Sequence, residues 1–420
     1  MTDDVRPSAE EAGMTDVKDD VCIVGGGPAG LALALLLLRS GVGVVVVERS
    51  RSLERSYRGE ILQPGGLAVL GELGVLPGVL DRGAHELSGF RLLADGRVLM
   101  SIDYNRLPPP YNHLLSVPQQ HVLGELLALC EGYERFSYLP GYRIRELLTE
   151  GSQVTGVVAG GPEGGYRVAA RCVVGADGRY SRTRTLAGID AGRIDAFDQD
   201  VLWFKLLAPD RLTGRVQIHR AAGGAVIVHD SYPGRLQIGW TLPHRGYQAI
   251  AERGLEHVKQ RLRTALPRYA DLIDEQVTSL HDLTLLDVFA GCADEWARDG
   301  LVLIGDAAHT HGPLGAQGIN LALQDAALLH PLLINALRTG DLSAGALGEF
   351  ARVRRPDVDR VVKTQLMQSR GMLTRNPVAD AIRPVATTLI GRTPIGKKIT
   401  QRIAFGNPAI RVHSELFVSD

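Results

Sequence analysis

Residues Gly25-Gly26-Gly27-Pro28-Ala29-Gly30 carry the spacing G-x-G-x-x-G. The chemistry this pattern suits is close backbone approach to a pyrophosphate. Gly25 permits a tight strand-to-helix turn, Gly27 leaves room for the anion, and Gly30 lets the helix lie close on the strands. A helix opening at Pro28 and Ala29 presents unpaired N–H groups and its positive dipole end to that anion. Glu48 ends the next apolar run, where a carboxylate can accept both hydroxyl hydrogens of an adenosine ribose. Two further carboxylates stand in similar positions. Asp177 follows Cys172-Val173-Val174-Gly175-Ala176, and Asp306 follows Leu301-Val302-Leu303-Ile304-Gly305. Each lies at the carboxyl end of an expected parallel strand, the edge where doubly wound sheets bind ligands. A turn aspartate accepting backbone N–H bonds accounts for either one alone.

The elements that must position these groups read as a crossover. Val21 to Ser50 is a buried strand, a glycine turn, an apolar helix and a second strand. Residues 87–103 look like a β-hairpin turning at Ala94-Asp95-Gly96-Arg97. A helix is expected from Val117-Pro118-Gln119-Gln120 through Leu129, and strands over 142–175. From Val201 to Thr241 short strands repeat as an inserted antiparallel sheet. A helix from about Gln248 to Leu266 and a strand near Val277 to Phe289 then lead to Leu301, and a long helix runs to about Asn335. The fold class expected is α/β: a Rossmann-like FAD-binding domain interleaved with an antiparallel β-sheet substrate domain, followed by C-terminal helices. The expected boundaries are a disordered tail over 1–19, an FAD-binding domain from 20–86, 113–195 and 283–345, a substrate domain from 87–112 and 196–282, and a helical segment over 346–420.

Composition narrows the function classes. The net charge of −1 gives no reason to invoke nucleic acid or an anionic membrane, and 45% hydrophobic with 22% charged residues is ordinary for a globular protein. The apolar run Leu31 to Leu38 is too short to span a bilayer. No secretory signal opens the chain, so a cytoplasmic location is expected. Cys22, Cys130 and Cys172 fall in apolar patterns and read as buried thiols in a reducing compartment, while Cys292 has no evident partner. No metal-ligand spacing is present, and a monomer or homodimer is expected.

Together the motifs fit an extended FAD, which needs a pyrophosphate site, a ribose acceptor, a ribityl acceptor and a platform for the ring. Val21 to about Leu333 resembles the class A flavoprotein monooxygenases, the FAD-dependent aromatic hydroxylases of the para-hydroxybenzoate hydroxylase type. The resemblance rests on GGGPAG with Glu48-Arg49, then Gly175-Ala176-Asp177-Gly178, then Gly305-Asp306-Ala307-Ala308-His309 continuing to Asn320. It implies that Asp306 binds the ribityl chain and that Asp177 serves both FAD and the nicotinamide donor. It implies also that Arg58 approaches the FAD phosphates or ring, and that Gln120 contacts the cofactor's central part, where many relatives have arginine. Gly315, Gly318, Ile319 and Asn320 would line the pyrimidine side of the flavin. Residues 318–320 open a helix, whose dipole favours an anionic reduced ring. His309 reads as a turn histidine bonded to local backbone.

The resemblance implies a reaction in which NADPH or NADH reduces FAD, O2 adds at flavin C4a, and one oxygen passes to an electron-rich aromatic substrate. Pro313 either holds the distal hydroperoxide O–H with a rigid carbonyl or only shapes the turn before Gly315. His229 is the candidate base for a phenol. Trp203, His219, Ser231, Gln237 and His311 are candidates for the pocket, and alternation alone does not say which sheet face they occupy. Flavin halogenases share these motifs, but Gly239-Trp240-Thr241-Leu242-Pro243 lacks their second tryptophan. A reductase of the geranylgeranyl reductase kind and a non-enzymatic FAD-bearing redox partner are the alternatives. The chain lacks the thioredoxin-like C-terminal domain of the larger phenol hydroxylases, which points to the shorter subgroup acting on antibiotics, quinolones and polyketide aromatics.

Overall fold

A computed structural model of the chain describes residues 14–54, 59–194, 199–221, 224–244, 246–373 and 377–418. Arg58 and residues 1–13 of the expected tail lie outside them.

The chain begins with strand β1 (Met14–Val24), the glycine turn, helix α1 (Pro28–Arg39) and strand β2 (Val44–Glu48). The expected tail over 1–19 is corrected here. Met14 to Asp19 are strand, because β1 pairs along its length with a partner strand, from Met14 opposite Gly165 to Val24 opposite Gly175. Val44 to Val47 are β-branched and buried on both faces of the sheet, as a central parallel strand requires. Leu31 to Leu38 are buried all round, since α1 lies between the sheet and other helices rather than at a surface.

The hairpin of β3 (Gly89–Ala94) and β4 (Arg97–Asp103) follows, and then helix α2 (Gln119–Glu131) returns the chain to β5 (Phe136–Pro140). After two antiparallel strands over 143–161, β6 (Gly164–Gly175) runs parallel to β1 and ends at the Asp177 turn and helix α3 (Arg182–Leu186). The chain then leaves for a second sheet built from β7 (Gln199–Leu207), β8 (Val216–Ala221), β9 (Gly224–Ser231) and β10 (Arg235–Pro243). The expected helix over 248–266 is broken: one turn at 247–251 is separated from α4 (Leu255–Ala265) by Gly254, whose φ of +85° no helix accommodates. Helix α5 (Ala270–Gln276) follows. The expected strand over 277–289 shrinks to β11 (Thr284–Leu286), preceded by a helical turn that Ser279 and Asp282 cap reciprocally. β12 (Leu301–Leu303) rejoins the first sheet, and α6 (Gly318–Thr339), α7 (Ala344–Leu373) and α8 (Pro377–Arg392) come after it.

The first sheet has the spatial order β12-β6-β1-β2-β5, with all four pairs parallel. The glycine turn, Asp177 and Asp306 therefore share its carboxyl edge. The second sheet has the order β11-β7-β10-β9-β8-β3-β4. Its outer face, including Leu202, Phe204, Val226, Val228, Ile238 and Trp240, packs with Val258, Leu262 and Ile273 of the covering helices. Its inner face turns toward the first domain.

Candidate active site

Gly25 adopts φ +112°, and a Cβ on Gly30 would stand 2.0 Å from the Gly25 carbonyl oxygen. A Cβ on Gly27 would meet nothing within 4 Å. The turn thus has one glycine for its bend, one for helix packing and one facing open space, which fits a pyrophosphate. Buried Glu48 accepts the Gly26 N–H at 2.7 Å and the Ser50 N–H at 2.8 Å. A carboxylate has about four lone-pair sites, and this one closes the strand beside the glycine turn. Arg49 beside it and Gln120 on α2 are exposed, whereas Gln119 is buried.

Asp306 sits half-buried in a helical turn after β12, and its nearest cation is Arg179 with Nε 3.9 Å from Oδ2. Asp177 is different. Its carboxylate accepts from Ser181 Oγ at 2.5 Å and from the N–H groups of Arg182 at 2.8 Å and Thr183 at 3.0 Å. It holds the first turn of α3, as a turn aspartate does.

The loop before α6 is held from below by Gln63. Its side-chain Nε2 donates to the Gly315 carbonyl at 2.6 Å, and its backbone N–H donates to Asn320 Oδ1 at 2.8 Å. Asn320 Nδ2 donates back to the Ala316 carbonyl at 2.7 Å. The Asn320 side chain is therefore engaged within the loop. The first N–H groups of α6, at Gly318, Ile319 and Asn320, are what this end of the helix offers an anionic ring. The Pro313 carbonyl accepts the Ala316 N–H at 3.1 Å, which supports the turn-shaping alternative over a dedicated acceptor.

His309 corrects a simpler expectation. Its Nε2 lies 2.7 Å from Asp325 Oδ2, not on local backbone, and the same oxygen accepts the Gly305 N–H at 2.8 Å. Arg354 Nε donates to Asp325 Oδ1 at 2.7 Å, and both side chains are fully buried. Burial alone would raise the Asp325 pKa, but the charges and hydrogen bonds of His309 and Arg354 outweigh it and bring it down to about 2. His311, two residues on, is buried with both ring nitrogens unpartnered among the described residues, and burial lowers its pKa to about 4. It is a neutral imidazole beside the start of α6: a Cβ on Gly318 would lie 4.0 Å from its Nε2.

Strand register decides the question of faces. Lys205 pairs with Gln237 and Gln237 with His229, so these three form a row on one face, with Trp203 and Ser231 two residues along their strands. The neighbouring residues Leu202, Phe204, Ile238 and Val228 belong to the outer core, so the row faces inward. Trp203 clusters with Val288, Ile227 and Leu314, the last adjacent to Pro313 and Gly315. His219 is corrected: it pairs with Val226 on the outer face and bonds Gln217 at 3.0 Å. His229 Nδ1 lies 2.9 Å from the Asp230 carbonyl, which fixes the proton there and leaves Nε2 as the basic nitrogen. Burial lowers the His229 pKa, partly opposed by the Asp230 bond and Glu60. Sequence reasoning missed Glu60, whose oxygens take Lys205 Nζ at 2.5 Å and Ser231 Oγ at 2.7 Å. It also missed Gln63, Asp325 and Arg354. The available signal was a polar residue inside an apolar helical run, as at Asp325.

Asp200, His244 and Asp287, distant in sequence, bring possible metal-ligand atoms within 4.8 Å of one another. His244 Nδ1 and Asp200 Oδ1 are 3.0 Å apart, the geometry of a hydrogen bond. Among the described residues no helix is long and apolar enough to cross a membrane.

Residues 18–365 match the family described as FAD binding domain. The chain is 57% identical over 417 residues to 6-methylpretetramide 4-monooxygenase of Streptomyces rimosus, covering 99% of this chain and 98% of that one. It is 28% identical to protoasukamycin 4-monooxygenase of Streptomyces nodosus subsp. asukaensis, covering 88% and 92%. The crystal structure of p-nitrophenol 4-monooxygenase PnpA from Pseudomonas putida DLL-E4 superimposes with a TM-score of 0.79 at 21% identity, covering 94% and 100%, which bears on the fold alone.

Proposed function

Since the chain belongs to the FAD binding domain family and is an FAD-dependent aromatic monooxygenase driven by NAD(P)H and O2, we propose that it hydroxylates 6-methylpretetramide, or a close analogue, at position 4. The observation that carries this reading is the end-to-end match at 57% identity to an enzyme of that name. When bound, FAD supplies reduction by the nicotinamide donor and activation of O2.

The chain's own residues do the rest. The Gly25 to Gly30 turn and the α1 N-terminus would hold the pyrophosphate, Glu48 the ribose and Asp306 the ribityl chain. The N–H groups of the α6 N-terminus would favour negative charge on the ring. Trp203, Ile227 and Leu314 exclude water between the second sheet and the Pro313 loop. His229 accepts a phenolic proton on Nε2 and makes the ring more nucleophilic; burial keeps it neutral and ready to do so. The test is turnover of purified, FAD-loaded protein with 6-methylpretetramide, NAD(P)H and labelled O2. One labelled oxygen at position 4 is expected. Label arriving only from water, or donor oxidation that the compound does not accelerate, would overturn the assignment.

A further inference from the structure

Two buried polar atoms on the inner face have no partner among the described residues: the indole Nε1–H of Trp203, a donor, and Oε1 of Gln237, an acceptor. Both side chains are more than nine-tenths buried, at 8% and 2% exposure. Buried polar groups are nearly always paired, so an unmatched donor beside an unmatched acceptor calls for a ligand. The two are diagonal neighbours on adjacent strands, because Trp203 pairs with Gly239 and Lys205 with Gln237. Such diagonals are roughly 7–8 Å apart at the backbone, within joint reach of one small group.

The placement of Trp203 is itself built in. A Cβ on Gly239 would stand 2.5 Å from the indole, so the ring lies across a position where only glycine leaves room. Several polar groups on this face are already engaged. Lys205 Nζ and Ser231 Oγ bond Glu60, and His229 Nδ1 bonds the Asp230 carbonyl. The apolar cluster around Trp203 includes Leu314 of the loop that precedes α6. The unmatched pair therefore faces the space where the ring to be oxidised would lie.

We propose that Trp203 and Gln237 together read one hydroxyl group of the aromatic substrate. A single hydroxyl satisfies both atoms: it donates to Gln237 Oε1 and accepts from Trp203 Nε1. An ether can accept but cannot donate, and so leaves Gln237 unmatched. The pair fixes the substrate in the plane of its ring and sets which carbon faces the flavin, so these are specificity-determining residues. The hydroxyl they hold is distinct from the one that His229 deprotonates. The inference deepens the monooxygenase reading and rests on it.

The test uses full-length, FAD-loaded protein with 1-naphthol and 1-methoxynaphthalene as probes, binding being followed through the visible absorbance of the flavin. Wild type should bind the naphthol about tenfold or more tightly than its ether, because a site built to bond a hydroxyl rejects analogues lacking it. Gln237→Leu should bring that ratio near one. Trp203→Phe, which keeps the ring and removes the donor, should weaken both probes alike and leave the ratio standing. A merely structural role for Gln237 would instead weaken both probes equally, with the ratio preserved, and that result overturns the proposal. Flavin uptake with no response to either probe overturns it too, while leaving the monooxygenase reading intact. A chain that takes up no flavin overturns that reading first and the inference with it.

Discussion

Arg354→Met tests the buried charge cluster beneath the Gly305 to His309 turn. Arg354 and Asp325 are both fully buried with Nε to Oδ1 at 2.7 Å, and Arg354 also donates to Gln324 Oε1 at 3.1 Å and the Leu321 carbonyl at 3.3 Å. Methionine fills much of the volume but leaves the Asp325 carboxylate with His309 and the Gly305 N–H. Removing one partner of a buried ion pair costs about 3–5 kcal/mol, because the other charge stays uncompensated. That is a large share of a typical total stability of about 5–15 kcal/mol. The pH dependence has a definite sign. The Asp325 pKa falls from 3.8 to about 2 on folding, so its stabilisation is present above pH 3.8 and is lost as pH falls through 2. The shift corresponds to about 2 kcal/mol. Urea unfolding at neutral pH, followed by far-UV circular dichroism, measures the effect. Asp325→Asn combined with Arg354→Met should be less destabilised than the sum of the single variants by about 2 kcal/mol or more. If Arg354→Met costs under about 1 kcal/mol, or the two changes simply add, the cluster is not the coupled unit described.

Four further outcomes follow from the geometry. Asp306→Ala should weaken FAD binding, measured by flavin retention on dialysis, with little change in melting temperature; Asp177→Ala should do the reverse and cost about 1 kcal/mol, as loss of a helix cap does. Gly27→Ala should fold normally but bind FAD weakly, whereas Gly30→Ala should lose both, since its Cβ would meet the Gly25 carbonyl oxygen at 2.0 Å; circular dichroism and flavin titration separate the two. Burial lowers the pKa of His330 from 6.5 to about 4, so its contribution is whole above pH 6.5 and lost as pH falls through 4; His330→Gln should flatten wild-type stability loss over that window by up to about 3 kcal/mol in unfolding titrations. Gln63→Leu frees the Gly315 to Asn320 loop, and peroxide released per donor oxidised should rise while FAD content persists.

Sequence alone determined the crossover, the glycine turn and the carboxylates at strand ends, because these depend on local spacing. A run such as Val44 to Val47 followed by Glu48 is a buried strand ending in an acid in almost any context, and GGGPAG leaves few other backbones. The hairpin at 94–97 was legible for the same reason. What tertiary structure decided was pairing across distance. Alternation in β7, β9 and β10 announces two faces but not which one a second domain covers; register with the outer core puts Gln237 and His229 inside and His219 outside. Glu60 meets Lys205 and Ser231, and Asp325 meets His309 and Arg354, only once the chain has folded back on itself. Asp177 and Asp306 look alike in sequence. They separate in surroundings because a helix begins within reach of Asp177 and donates two N–H groups to it, while the nearest cation to the Asp306 carboxylate among the described residues is Arg179, at 3.9 Å. A carboxylate's function depends on which donors arrive, and that is a property of the fold.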